Sequence, residues 1–268
     1  MQEVAKVLSL KGKVALITGA SWGIGAATSA LFAKIGAKVA LSGRNLDKLK
    51  VTAEQCDDGQ NGKAFIVPGD ITDEAVARNI VHDTVAHFGQ LDVLVNNAGI
   101  FEFGSVENAT LKQFDRIMNT NVRAVFYLTH LAVPHIIRSK GNIVNVSSLA
   151  GLRTLPGFLA YCMSKSAMNQ FTRGAALELA SKQVRVNAVC PGVIVTGIHL
   201  RAGMGREEYA KFLEECKRAH ALGRPGTSDE VAQAIAFLAS DAASFITGVT
   251  LPVDGGRHAM VPECERHS

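Results

Sequence analysis

Apolar residues in this chain gather into short, nearly continuous runs, separated by stretches where they return every three or four positions. The first run, Lys13-Val14-Ala15-Leu16-Ile17-Thr18, stops at Gly19. A parallel strand buried on both faces reads this way, because neither face can be polar. Comparable runs recur at 37–42, 64–68, 91–96, 142–147, 184–190 and 248–253, which makes seven predicted strands. Between them, 26–35, 73–88 and 164–179 carry helical periodicity, and Thr72-Asp73 and Ser228-Asp229-Glu230 are the expected N-terminal caps of two helices. Strand and helix alternate without a linker, so the expectation is one α/β domain over 1–257, a doubly wound parallel seven-stranded sheet with helices on both faces. Residues 196–222, with Gly203 and Gly205 around a short amphipathic piece, break the rhythm and read as an insertion over one end of the sheet. Residues 258–268 read as a polar tail.

Composition narrows the classes. Of 268 residues, 47% are apolar and 19% charged, which is a globular balance. The net charge of +4 is scattered without a basic run, which argues against nucleic acid as a partner. No stretch reaches the roughly 18 to 20 apolar residues of a membrane span. The N-terminus lacks the apolar region of a secretory signal and the arginine-rich character of a transit peptide. Five cysteines, an odd number with no C-x-x-C pair, read as free thiols in a reducing compartment, and no zinc-type motif occurs. The expectation is a soluble cytoplasmic protein with no metal, no membrane and no nucleic-acid partner.

Two short stretches carry candidate chemistry. Thr18-Gly19-Ala20-Ser21-Trp22-Gly23-Ile24-Gly25 follows the first strand. Gly19 to Gly23 fits G-x-S-x-G, the turn that presents a hydrolase serine, and Asp254 and His258 follow in the order such a triad needs. The same residues fit a glycine-rich turn whose backbone N–H groups hold a pyrophosphate. An elbow after the very first strand is ill placed for a hydrolase, and only the phosphate cradle explains Gly25. The second stretch, Tyr161-Cys162-Met163-Ser164-Lys165, sets a phenol and an ammonium one helical turn apart. A neighbouring cation favours the phenolate and makes tyrosine a usable acid or base.

These pieces occur in order with Asn96-Asn97-Ala98-Gly99, Asn145-Val146-Ser147-Ser148 and Pro191-Gly192, each after a predicted strand or at a helix start. Over about residues 10 to 257 this resembles the short-chain dehydrogenase/reductase superfamily, which implies a Rossmann-type fold and makes Ser21 a cradle residue. The resemblance implies that Tyr161 exchanges a proton with the substrate oxygen while hydride moves to or from a nicotinamide. Lys165 would lower the Tyr161 pKa and hold the nicotinamide ribose. Ser148, thirteen residues before the tyrosine, would hydrogen-bond the carbonyl oxygen, while Ser147 packs or caps. Asn121 matches the asparagine that holds a water on the proton-relay path. For the cofactor, Gly19, Ser21, Ile24 and Gly25 would surround the pyrophosphate, with Trp22 and Gly23 in the same turn. Asp70, followed by Ile71, would accept from the adenine amine, and Asn97, Ala98 and Gly99 would line the adenosine side. Pro191, Gly192, Ile194 and Thr196 would grip the carboxamide.

The resemblance leaves the cofactor's phosphate as a charge question. Gly43 stands where an acid binds the ribose hydroxyls in NAD users, and Arg44 follows it. An arginine there fits a 2′-phosphate, so NADP(H) is expected over NAD(H), although Trp22 replaces the basic residue that some NADP users carry in the glycine loop. Residues 149–158 and 196–222 should wall the substrate site, with Leu152, Leu155, Pro156, Phe158, Ile198, Leu200, Met204 and Phe212 supplying apolar surface and Arg153 left to solvent. That suggests a small-molecule carbonyl or alcohol substrate. The expected activity is a carbonyl reductase, with a 3-oxoacyl-thioester reductase as the alternative and a non-catalytic NADP(H)-binding sensor as the rival from another class. Family members of this length commonly form homotetramers.

Overall fold

The computed structural model describes residues 8–57 and 63–260. All seven strands form, as β1 (Val14–Thr18), β2 (Lys38–Gly43), β3 (Phe65–Pro68), β4 (Val93–Asn96), β5 (Asn142–Val146), β6 (Arg185–Pro191) and β7 (Thr250–Val253). They make one parallel sheet in the order β3-β2-β1-β4-β5-β6-β7. Successive side chains of a strand point to opposite faces, and each face here has its own core. Ala15 and Ile17 join Val39, Leu41 and Val95 on one side. Val14 and Leu16 join Ala40, Leu94 and Ile143 on the other. This double burial is the physical origin of the continuous apolar runs.

Helices α1 (Gly23–Lys34), α2 (Leu46–Gln55), α3 (Glu74–Phe88), α4 (Leu111–Met118), α5 (Ala124–Ser139), α6 (Leu159–Ala180), α7 (Ile198–Arg201), α8 (Arg206–Arg218) and α9 (Ser228–Ala239) follow in chain order. Phe32 of α1 and Ile235 and Leu238 of α9 close the first core, and Ile80 of α3 with Leu128 and Ile136 of α5 close the second. Asp73 caps α3 as expected, accepting from the N–H groups of Ala75 and Val76 at 2.8 and 3.1 Å. The cap of α9 is Thr227 rather than the expected Ser228. Thr227 Oγ1 accepts from Glu230 N, and the Glu230 carboxylate accepts Thr227 N–H at 2.8 Å, a reciprocal pair that fixes the helix start one residue earlier. The 196–222 segment contains α7 and α8.

Strands β1 to β3 step outward in one direction, and β4 then enters on the other side of β1. The two chain directions part at the carboxyl ends of β1 and β4, where a doubly wound sheet opens a ligand crevice. Both glycine-bearing loops of the sequence lie there. Cys56, Cys162, Cys190 and Cys216 are buried free thiols. Cys264, the tail beyond residue 260 and the first seven residues lie outside the described residues. Among the described residues no helix is long and apolar enough to cross a membrane, and no group of three His, Cys, Asp or Glu side chains is placed to hold a metal.

Candidate active site

The loop after β1 is possible only because of its glycines. Gly19 and Gly23 have φ of +64° and +52°, in the left-handed region. A Cβ at Gly25 would come 2.3 Å from the Gly19 carbonyl oxygen, so its absence lets α1 start directly beneath the turn. Trp22, at the N-cap of α1, offers no capping side chain, which leaves first-turn N–H groups available to an anion. The loop after β4 is bolted alongside. Asn97 Nδ2 donates to the Thr18 and Gly19 carbonyls at 2.9 and 3.2 Å, and the Thr18 hydroxyl accepts from Ala98 N at 3.0 Å.

A groove of about 520 Å³ runs between these loops. Gly19, Ser21, Trp22, Gly23, Ile24, Arg44, Asp70, Ile71, Asn97, Ala98, Gly99 and Thr196 all line it. Gly25 does not, and its part is the packing just described. Pro191, Gly192 and Ile194 line the adjoining cavity with Tyr161 and Lys165. The turn, the uncapped helix start and the groove fit a dinucleotide.

At one end of the groove Arg44 Nη1 lies 3.5 Å from Asp70 Oδ2. Partial burial pushes the Asp70 carboxyl up, but hydrogen bonds from Thr72 and the Arg44 charge outweigh it and hold the group below its ordinary value. A Cβ at Gly43 would meet Ser21 Oγ at 2.5 Å. A side chain at that position would require Ser21 Oγ to turn away.

At the other end lies a cavity of about 390 Å³. Ser148 follows β5, and Tyr161 and Lys165 stand one turn apart on α6. Lys165 Nζ donates to the Val146 carbonyl at 2.9 Å and sits 5.7 Å from the centre of the Tyr161 ring. Burial pushes the Tyr161 phenol up to about 12, against a hydrogen bond with Ser148 that pulls it down. Burial also brings Lys165 down to about 8. Ser147 is buried and donates to the Lys165 carbonyl at 3.2 Å, so it packs as expected. Asn121 lies in a π-helical turn, Asn119–Arg123, between α4 and α5. Both its N–H donors are used, on the Ile100 carbonyl at 2.9 Å and Ser164 Oγ at 3.1 Å, while its oxygen accepts from Ile100 N at 2.8 Å. The side chain staples the β4 loop to α6.

Leu155, Pro156, Phe158, Ile198 and Phe212 wall this cavity, whereas Leu152, Leu200 and Met204 do not reach it. Arg153 is exposed, as expected, but its side chain is also anchored. Its Nη1 donates to the carbonyls of Arg257, His258 and Met260 at 3.0, 3.1 and 2.8 Å, tying the C-terminal turn beside the cavity. Among the wall residues that the sequence reading did not name are Phe101, His199 and Arg257. Phe101 packs at 5.1 Å on Tyr161 and 5.4 Å on His199, which packs at 4.8 Å on Phe212. His199 Nδ1 is buried without a partner among the described residues, and burial lowers the pKa of the ring.

Residues 19–258 match the family model described as enoyl-(acyl carrier protein) reductase. The chain is 41% identical over 253 residues to the 3-oxoacyl-[acyl-carrier-protein] reductase FabG of Thermotoga maritima, covering 93% of this chain and 99% of that one. Its fold matches the crystal structure of a short-chain type dehydrogenase/reductase from Mycobacterium marinum, with a TM-score of 0.87 and 34% identity over 95% of this chain and 98% of that chain. The protein is a short-chain dehydrogenase/reductase. Another relative of this short-chain dehydrogenase/reductase is the glucose 1-dehydrogenase of Gluconobacter oxydans, 39% identical over 91% of each chain. The family consists of oxidoreductases that use a nicotinamide cofactor on small molecules. The hydrolase reading fails on distance. Ser21 follows β1, while Asp254 and His258 follow β7, four strand positions away or about 19 Å. Asp254 instead accepts from the His258 and Gly256 N–H groups at 2.7 and 3.1 Å and holds the turn after β7.

Proposed function

We propose that this short-chain dehydrogenase/reductase is an NADP(H)-dependent reductase of carbonyl compounds, working in the cytoplasm as a homotetramer. The observation that carries the reading is that Ser148, Tyr161 and Lys165 line one aromatic-walled cavity, adjoining a groove whose far end presents Arg44 and has glycine rather than an acid at position 43. Bound NADPH supplies the hydride. Tyr161 gives its phenolic proton to the carbonyl oxygen as that oxygen becomes an alkoxide, and Ser148 Oγ donates a hydrogen bond to the same atom. Lys165, whose Nζ lies 5.7 Å from the centre of the Tyr161 ring, would support the phenolate left on Tyr161 and would hold the nicotinamide ribose. Asn121 is a positioning residue, keeping the Ile100 backbone and the Ser164 turn in place beside Lys165. The pyrophosphate falls to Gly19, Ser21, Trp22, Gly23 and Ile24, the adenosine to Asp70, Ile71, Asn97, Ala98 and Gly99, and the carboxamide to Pro191, Gly192, Ile194 and Thr196.

The Phe101, Phe158, His199 and Phe212 rings favour a ketone on an apolar or aromatic body. A 3-oxoacyl thioester is the second reading, favoured by the 41% identity to a reductase of that class. The test is oxidation of NADPH and of NADH against a ketone, a diketone, an aldehyde and a 3-oxoacyl thioester. NADPH-dependent turnover of the ketones is expected, and turnover of the thioester alone would favour the second reading. Tight NADPH binding without turnover of any of them would favour a sensor, and equal use of NADH would remove the role given to Arg44.

A further inference from the structure

Arg201 ends α7, on the segment that walls the catalytic cavity, yet its side chain reaches the opposite end of the groove. With Arg44 it lines both the groove of about 520 Å³ and a neighbouring cavity of about 660 Å³ that also contains Asp70. Its guanidinium carbon lies 5.7 Å from the centre of the Trp22 ring, and Lys48 Nζ lies 4.8 Å from that ring. Two cations from distant parts of the chain therefore flank one indole, and Arg44 lines the same groove beside them. The groove is lined by one carboxylate, Asp70, already paired with Arg44, and the second acid of the neighbouring cavity, Glu102, is taken by Arg116. The Arg201 guanidinium has no ion pair or hydrogen bond among the described residues. Burial and the Arg44 charge both push its pKa below the ordinary value, so two like charges face one another across the groove. An anion between them relieves that repulsion, and a phosphate offers enough oxygens for both guanidinium groups.

We propose that Arg201 is the second arm of a phosphate clamp whose first arm is Arg44, and that the clamp selects a cofactor with a phosphate monoester on its adenosine ribose. The proposal rests on the NADP(H) reading. It also accounts for Trp22 in the glycine loop. The indole carries no charge of its own, but it is the surface against which Lys48 and Arg201 are held. Because α7 also brings Ile198 and His199 into the catalytic wall, one four-residue helix touches both the phosphate end and the substrate end.

Trp22 is the only tryptophan of the chain, so its fluorescence reports binding at this place without turnover. Wild-type enzyme, Arg201→Ala, Arg201→Lys and Arg44→Ala are titrated with NADP+, NAD+, adenosine 2′,5′-bisphosphate and 5′-AMP. Wild type should bind NADP+ more tightly than NAD+. Arg201→Ala should weaken NADP+ and the 2′,5′-bisphosphate by about tenfold or more, the scale of one charge-assisted hydrogen bond. NAD+ and 5′-AMP should stay within about twofold, and Arg201→Lys should recover part of the loss. Equal weakening of NADP+ and NAD+ would place Arg201 on the pyrophosphate and overturn the proposal. Unchanged NADP+ binding in Arg201→Ala, with a loss in Arg44→Ala, would overturn Arg201 alone and leave the NADP(H) reading standing. No NADP+ preference in wild type would overturn both.

Discussion

The two ends of the groove are built on opposite electrostatic plans. At the catalytic end Lys165 is buried and Tyr161 half-buried, and burial sets their proton affinities, raising Tyr161 to about 12 and lowering Lys165 to about 8. At the adenosine end Arg44, Lys48 and Arg201 are largely open to solvent, with the Arg44 side chain 72% exposed. Removing a buried group takes away a function that no neighbour replaces. Removing one exposed cation subtracts from a sum that the others still supply, and salt screens the remainder over about 8 Å. Chemistry should therefore fail in an all-or-none way, and cofactor choice should shift by degrees.

The sharpest break would come from Lys165→Met. Lys165 is 4% exposed, and its ammonium is held by a backbone carbonyl without an acid. Turnover should fall by about a thousandfold, within the range set by acid–base groups. The melting temperature should not fall, because an apolar side chain of similar length removes a desolvated charge. Calorimetry beside a rate assay checks both, and a large loss of stability would show that Lys165 is structural. Arg44→Asp comes next. Replacing a phosphate partner by a like charge should lower the NADPH/NADH ratio of kcat/KM by about a hundredfold, leaving kcat with NADH near wild type.

A pH profile sharpens the contrast further. Lys165 loses its proton as pH rises through about 8, while Tyr161 stays protonated until about 12. For reduction, kcat/KM should be flat below pH 8 and fall towards tenfold per pH unit above it. Lys165→Met should lack that limb. The smallest effect belongs to Arg153→Ala, which frees the three carbonyls of the C-terminal turn. KM for the ketone should rise a few-fold with the cofactor Kd unchanged, and a fall in cofactor affinity would disprove the separation of the two ends.

What was legible in the sequence follows from the same physics. Double-faced burial wrote the five inner strands into continuous runs, the edge strands β3 and β7 being only partly buried, and the glycine turn, Asn97 and Tyr161-x-x-x-Lys165 kept fixed spacings that survive without a structure. The cap at Thr227 was displaced by one residue because threonine and serine stand side by side and both can cap. Contacts made across the fold left no periodic trace. Arg153 reaches a carbonyl 107 residues away, and Phe101, His199 and Arg257 enter the cavity from three unrelated segments. Arg201 falls in the segment assigned to substrate, so its reach to Trp22 was hidden until α7 was placed. The sign of the Lys165 shift was equally hidden, since it comes from burial rather than from a sequence neighbour.

The central claim is that Tyr161 performs the proton transfer in a site whose cofactor affinity is set elsewhere. Tyr161→Phe removes one oxygen and nothing else, so the measurement is turnover and NADPH binding on the same sample, the binding read from Trp22 fluorescence. An NADPH Kd equal to wild type with turnover lost by at least about a hundredfold is the predicted result. Turnover within tenfold of wild type would contradict it.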